Sequence, residues 1–324
     1  MTGKIVFFKP KRKGHHSDYI NFLINYWKIR NHSVKESFFQ KFISLFSDSK
    51  IILLDIDKND LLYIPIIFIL KIFKLNSKLD LYAISVRSSE IILPSRSIIN
   101  FLLKKGKYLF FKNFLKKQIF LFLKKTDLIK IYSIHIDNIN KKKLKAYFHD
   151  FFHDFQYYDL EYYNFKFNRP EEIDTKFLKK SILIFIGANQ SRRNLDELLT
   201  DIIFHNSKDL KFTIVGKSKK SLNFNDKIVH INRYVENSEL LFLIKNCLVV
   251  YCFYNNFAPS GFFGRSIQLN KKVIVSKGGY LDNFGYINSI PINKVSDIPK
   301  IDFFSIIEKK HNYNFVKPPK LENI

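Results

Sequence analysis

Short unbroken apolar runs recur in the second half of this chain, and several of them end in glycine. Ser181-Ile-Leu-Ile-Phe-Ile-Gly187, Phe212-Thr-Ile-Val-Gly216 and Lys272-Val-Ile-Val-Ser276, with Gly278-Gly279 behind the last, share this form. A run of this length without polar alternation fits a strand buried on both faces of a sheet. Lys227 to Ile231 and Leu248 to Tyr254 read as two further strands. Between the strands apolar residues fall at helical spacing: Leu195, Leu198, Leu199, Ile202 and Ile203, then a helix capped by Ser238 and running to about Asn246, then Gly261 to Asn270. Strands alternating with helices predict right-handed crossovers and a parallel sheet, whose ligands sit beyond the carboxyl ends of the strands. The glycine-bearing loops all leave from such ends.

The first half repeats the pattern. Lys4 to Phe8, Ile51 to Ile56, Leu81 to Val86 and Leu128 to Ile134 are expected strands, and a helix with Ser17 as its N-cap is expected to reach Arg30. Asn168 to Asp174 is polar and holds Pro170. The expected organisation is an α/β fold with one Rossmann-like domain over 1–167, a linker over 168–178 and a second Rossmann-like domain over 179–324. The tail of the second domain includes a helix-like piece, Phe303 to Lys310.

Composition changes this picture in one respect. The 324 residues carry a formal net charge of +25, which calls for an anionic partner or reflects lysine accumulated on solvated faces by compositional drift. Residues 101–125 concentrate the question, interleaving aromatics and leucines with eight lysines and no acid. Three readings stay open for them: an amphipathic helix with solvated lysines, an anionic membrane surface, or a platform for single-stranded nucleic acid. The opening residues, Met1 to Lys13, lack the apolar core and cleavage site of a secretory signal, and the apolar stretch Leu61 to Leu70 holds Pro65 and is too short to span a bilayer. A cytoplasmic protein, resting on the inner face of the membrane if it meets one, is the expectation. Cys247 and Cys252 read as small buried hydrophobes.

Candidate chemistry gathers in four places. Gly187-Ala-Asn-Gln-Ser-Arg-Arg-Asn-Leu195 joins a strand to a helix start, where a diphosphate would meet backbone N–H groups and the guanidinium of Arg192 or Arg193. Ser260 and Gly261 begin a second such helix, with Gly264 and Arg265 about one turn further in. Between the first strand and first helix, Gly14, His15 and His16 could touch a ligand or simply be exposed in a basic loop. Asp55 and Asp57 resemble a metal-holding aspartate pair, and His149 with His153 could share a helical face; strand-end aspartates and a partly buried aromatic segment explain them without a metal, and no metal site is expected.

In order, Gly187, Arg192-Arg193, Leu198-Leu199, Ile214-Val-Gly216, Glu239-Leu240, Pro259-Ser-Gly261 with Gly264, and Lys272 to Ser276 with Gly278-Gly279 resemble the donor domain of retaining GT-B glycosyltransferases of family 4, over roughly residues 181–280. The resemblance implies two Rossmann-like domains facing a cleft and a nucleotide-diphosphate sugar, UDP- or GDP-linked, as substrate, with no cofactor. It implies that Arg193, with Arg192 beside it, holds the donor diphosphate. Ser260, Gly261 and Gly264 would line the nucleotide and sugar, and Gly187, Gly216 and Arg265 belong to the same donor-binding set. It also suggests that His15, His16 and His135, the residue after the strand ending at Ile134, face the reacting sugar. The implied acceptor is a saccharide or lipid-linked saccharide of bacterial surface polysaccharide synthesis. One departure stands out: Phe257 and Arg265 occupy the positions where the family carries two glutamates. A catalytically inactive GT-B scaffold and a basic nucleic-acid-binding protein are the alternatives.

Overall fold

A computed structural model describes residues 4–9, 16–48, 50–54, 56, 63–75, 78–85, 114–134, 142–152, 166–186, 198, 210–218, 226–254 and 260–310. They divide into two compact units, the first within Met1–Phe155 and the second within Gln156–Asn314. Each unit holds one six-stranded sheet, and neighbouring strands in both sheets are parallel.

In the first unit, β1 (Ile5–Phe8), β2 (His32–Lys35), β3 (Lys50–Leu53), β4 (Asp80–Ser85), β5 (Lys130–Ile134) and β6 (Asp150–Phe152) lie in the order β2-β1-β3-β4-β5-β6. The four expected strands are β1, β3, β4 and β5. The sequence pattern had not pointed to β2 or β6, which are edge strands; β2 alternates exposed and half-buried residues and has no apolar run to mark it. Part of the stretch read as an aromatic segment, from Asp150, is strand β6. His149, just before it, accepts from the Ile131 N–H through Nδ1 at 2.9 Å and meets Asp127 Oδ1 through Nε2 at 3.0 Å, so both ring nitrogens serve the fold.

One face of this sheet packs Val6, Phe8, Ile51, Leu53, Leu81, Ala83 and Ile131 against three helices. These are α2 (Phe38–Ser47), α3 (Ile64–Ile72) and α4 (residues 114–126), which contribute Leu45, Ile67, Leu70, Phe120 and Leu123. Helix α1 (His16–Trp27) begins one residue before the expected cap at Ser17 and stops three short of Arg30. Its end is a left-handed closure: Lys28 has φ 52°, the Ile29 N–H donates to Ile24 at 2.9 Å, and the Lys28 N–H donates to Asn25 at 3.3 Å. Helix α3 ends the same way at Lys74, also at φ 52°.

The second unit contains β7 (Ser181–Phe185), β8 (Lys211–Val215), β9 (Ile228–Ile231), β10 (Val249–Cys252), β11 (Val273–Ser276) and β12 (Ser289–Ile292), in the order β12-β11-β10-β7-β8-β9. Counted within the unit this is 3-2-1-4-5-6, the strand order of the dinucleotide-binding Rossmann sheet. The unexpected strand β12 is again an edge, the place where a sheet tolerates its Pro291. The helix expected from Phe303 is a turn followed by irregular chain. Its carbonyls are taken by side chains: Lys272 Nζ donates to Phe303 at 2.7 Å and to Ile306 at 3.1 Å, and Asn288 Nδ2 donates to Lys309 at 2.8 Å. Buried Phe303 and a 2.7 Å ion pair between Lys271 and Glu308 complete this strap.

Residues 168–178 pack on the second unit. Ile173 and Leu178 are buried, the short helix α5 (Thr175–Leu178) is capped by Asp174, and the Asn168 N–H donates to Ser238 at 3.3 Å. Helix α6 (Asn237–Asn246) starts before Ser238; its N-cap is Glu236, in a reciprocal box with Glu239. Arg233 ties these pieces together, with Nε and Nη2 donating to Glu172 at 2.6 and 3.0 Å and Nη1 and Nη2 donating to Glu239 at 2.9 and 2.6 Å.

Two consequences are measurable. Lysine in a left-handed position costs about 1–2 kcal/mol relative to its right-handed form, and glycine in exchange costs about 0.5–1 kcal/mol in chain entropy. Lys28→Gly should therefore stabilise the protein by up to ~1 kcal/mol, read as a higher denaturant midpoint. The second concerns pH. Hydrogen bonds from Arg233 hold the Glu172 and Glu239 carboxyls below the usual carboxylate range. A depressed folded-state pKa gives stability that is complete above the unfolded value, about 4.3 for glutamate, and lost as pH falls through the folded value. Arg233→Gln should cost on the order of 1 kcal/mol at pH 7, a figure lowered for the partly exposed setting, and should flatten the fall of Tm below about pH 4.5.

Candidate functional site

In the second sheet the chain leaves β7 in one direction, towards β8 and β9, and returns on its other side as β10. Strands β7 and β10 are neighbours, in register from Ile182 opposite Val249 to Ile184 opposite Tyr251. Their crossovers turn opposite ways, so the carboxyl ends of these two strands flank a crevice, the place where open α/β sheets take ligands. The two loops singled out from the sequence leave from these two ends: the Gly187 to Arg193 loop follows β7, and the segment reaching Ser260 follows β10.

Helix α7 (Gly261–Gln268) starts at this edge. Ser260 is its N-cap; Oγ accepts from the Phe263 N–H at 3.3 Å and donates to Tyr254 Oη at 3.4 Å, and Tyr254 donates in turn to Cys252 Sγ at 3.5 Å. The cap is thereby tied to the last residue of β10. Across the crevice the Phe262 ring lies 5.4 Å from Phe185, the last residue of β7. Every residue of α7 from Phe262 to Ile267 is buried, so packing on all sides fixes the direction of its axis. Gly261, at the first helical position, places no side chain between an approaching anion and the partial positive charge of the helix start.

Glycines at the neighbouring strand ends have backbone reasons of their own. Gly216, after β8, has φ 123°, and a Cβ there would stand 3.4 Å from Ile186 Cγ1, just beyond β7. Its N–H donates to Ile231 at 3.1 Å and its carbonyl is 2.9 Å from His230 Nε2. After β11, Gly278 is left-handed at φ 68°, and a Cβ on Gly279 would come within 2.8 Å of the Ser276 carbonyl.

No protein-family profile matches the sequence, and no curated protein does. Solved structures do match the architecture. An α,α-trehalose-phosphate synthase (UDP-forming) from Burkholderia vietnamiensis superposes with a TM-score of 0.55 at 8% identity, covering 92% of this chain and 90% of that one. WaaG, a glycosyltransferase involved in lipopolysaccharide biosynthesis, gives 0.53 at 8% identity over 91% and 88%. Anabaena HepE, crystallised with UDP, gives 0.52 at 8% identity over 92% and 88%. The chain has the GT-B fold. At such identities the likeness is one of architecture, and the fold is the one the ordered motifs had implied.

Within this GT-B chain the expected donor-side residues are distributed unevenly over the described structure. Ser260, Gly261, Gly264 and Arg265 are brought together on the first turns of α7, with Arg265 8% exposed. Gly216 sits one strand away, against the end of β7. Gly187, Arg192, Arg193, His15 and His135 lie outside the described residues, as do Asp55, Asp57 and His153; His16 is the first residue of α1, its side chain likewise outside. Among the described residues no group of three or more His, Cys, Asp and Glu could hold a metal ion. Both cysteines are buried thiols, and burial pushes Cys247 up to about 12.

The sequence reading missed Tyr254 and the Phe185–Phe262 pair, which position the cap. Their signal was present, an aromatic at the last residue of one strand and another beside the glycine that opens the facing helix, but single aromatics in an aromatic-rich chain carry little weight. Gly216→Ala should lower stability by about 1–3 kcal/mol, since any Cβ is strained at that φ. Ser260→Ala should cost about 1 kcal/mol through the lost cap, both read by denaturant unfolding, with Ser260→Asp close to wild type.

Proposed function

We propose that this chain is a glycosyltransferase that moves a sugar from a UDP- or GDP-linked donor to a saccharide or lipid-linked saccharide in bacterial surface polysaccharide synthesis. The observation that carries the reading is the start of α7, a glycine-led helix capped by Ser260 beside the switch point of a 3-2-1-4-5-6 sheet. HepE, of the same fold, was crystallised with UDP, and WaaG acts in lipopolysaccharide biosynthesis.

Breaking the bond between the sugar and the diphosphate puts negative charge on the departing phosphate. Arg192 and Arg193, from the loop after β7, and the N–H groups that open α7, after β10, would stabilise that charge as it develops. Such a site has no need of a divalent ion, and the family resemblance implies retention at the anomeric carbon. Gly187 would let the β7 loop approach the phosphates closely. His15, His16 and His135, on the first unit, are the candidates for contact with the sugar and acceptor. Use of a lipid-linked acceptor would bring a cytoplasmic enzyme, and the basic segment 101–125, to the inner face of the membrane. Phe257 and Arg265, where glutamates are expected, favour one other reading, a GT-B scaffold that has lost turnover.

Thermal unfolding against UDP, GDP, CMP and their sugars tests this directly. A nucleotide at a hundred times its Kd should stabilise the protein by about 2.7 kcal/mol, and Arg193→Ala should abolish the effect. EDTA should leave binding and transfer unchanged. A nucleotide that binds without any sugar being released or transferred would support the scaffold, and no response to any nucleotide would remove the donor site.

A further inference from the structure

At the amino edge of the second sheet lies a cavity of about 360 Å³, within the range of small-molecule pockets. Four lysines line it, Lys179, Lys245, Lys271 and Lys272, and Glu308 is the one carboxylate among the lining residues. Their positions follow from the fold. Lys179 stands at the end of α5 just before β7, Lys245 in the last turn of α6 just before β10, and Lys271 and Lys272 just before β11. These strands are adjacent, in the order β11-β10-β7, so segments far apart in the chain deliver their lysines to one place. The candidate donor site lies at the opposite ends of the same strands, on the order of 15 Å away along a five-residue strand.

Holding the strap explains half of this set. Lys271 pairs with Glu308 at 2.7 Å, Lys272 donates to the Phe303 and Ile306 carbonyls, and both lysines are buried. Lys179 and Lys245 come from outside the strap and are exposed. Asp302, whose carboxylate also acts on Lys272, is turned to the N–H groups of Phe304 and Ser305. Helices α6 and α7 end at this edge, and each end carries roughly half a negative charge. Glu308 and the two helix ends thus offset about half of the lysine charge and leave a surplus of roughly two positive charges around the cavity. Burial outweighs the carboxylates at Lys272 and holds its ammonium below the ordinary lysine value, so that charge is under-compensated in the fold.

The geometry points to a second ligand site: the cavity between the ends of α5 and α6 and the strap takes a phosphate dianion, free or as the monoester of a small molecule. A phosphate monoester carries about −1.5 to −2 at pH 7, which matches the surplus; a single carboxylate would leave half of it. Ammonium groups on flexible stems can follow the phosphate oxygens, and Leu248 and Ile306 offer an apolar wall to a carbon skeleton. The entering anion competes with Glu308 for Lys271, so Glu308 is a built-in occupant that lowers affinity, and occupation loosens the ion pair that fastens the strap. The site owes nothing to glycosyl transfer, so either inference can fail without the other.

The test is isothermal titration calorimetry of the full chain carrying Arg193→Ala, which disables the proposed donor site. Inorganic phosphate, glycerol 3-phosphate and acetate are titrated at an ionic strength held constant with sodium chloride. Phosphate or its ester should bind saturably, one per chain and at least tenfold more tightly than acetate; the tighter of the two identifies the free ion or the ester as the occupant. Lys179→Gln with Lys245→Gln, both at exposed positions, should weaken binding at least tenfold while the Tm in chloride stays close to that of the parent. Glu308→Gln should tighten binding at least threefold, a gain that a purely structural role for these residues does not produce. Absence of saturable binding, undiminished affinity in the double variant, or weaker binding in Glu308→Gln would overturn the proposal. So would wild-type binding that Arg193→Ala alone abolishes, which would assign the anion to the donor site and leave that reading intact.

Discussion

Everything at the candidate donor site depends on β7 pairing with β10. These strands are some seventy residues apart in the chain and become neighbours because β7 sits at the middle of its sheet, with β8 and β9 laid on one side and β10, β11 and β12 on the other. The winding direction reverses between these two strands, and both remain buried on both faces. The contact between Phe185 and Phe262 then sets where α7 starts relative to β7, and the chain from Ser260 through Tyr254 to Cys252 sets it relative to β10. The placement of this helix start is thus the product of ordinary sheet packing plus two local fastenings.

Central strands were legible because burial on both faces leaves a continuous apolar run, as in Ile182 to Ile184 or Val249 to Tyr251. Edge strands were not. β2 reads His-Ser-Val-Lys and β12 carries a proline, since an edge needs neither two apolar faces nor every N–H. Helix ends also misled: Ser238 looks like a cap, yet Glu236 holds that position because Glu239 answers it and Arg233 grips Glu239. Glu239, one of the residues that suggested the fold, is employed in holding the second unit together. The Phe303 to Lys310 segment has helical apolar spacing, but its carbonyls go to Lys272 and Asn288, partners that only the tertiary fold supplies.

Scarcity of glycine shaped the same outcome. The chain has 10 glycines in 324 residues, and among the described residues Lys28, Lys74, Asp127 and Asn270 occupy left-handed positions. Glycine is kept at Gly216, whose φ of 123° strains any side chain, and at Gly279, where a Cβ would stand 2.8 Å from the Ser276 carbonyl. A strand followed by glycine is therefore a stronger sign of a constrained backbone here than in a chain of ordinary composition. It does not by itself separate constraint for folding from constraint for ligand approach.

Lysine permits a comparable sorting of the +25 charge. Many lysines are structural: Lys41 and Lys116 are buried with their ammonium groups over Phe8 and Phe120, Lys124 donates to the carbonyls of Lys145 and Phe148, and Lys271 and Lys272 hold the C-terminal strap. An ammonium with a stem of four carbons suits this use, because the stem packs as a hydrophobe while the head finds a carbonyl or a ring. Drift towards lysine thus accounts for positions inside the fold as well as on it. What it does not account for is the set of exposed phenylalanines on α2, α3 and α4, because drift in base composition has no reason to turn aromatic rings outward on one layer of one unit. The excess charge divides into a part that the protein consumes internally and a part displayed to solvent, and only the second is open to a partner outside the molecule.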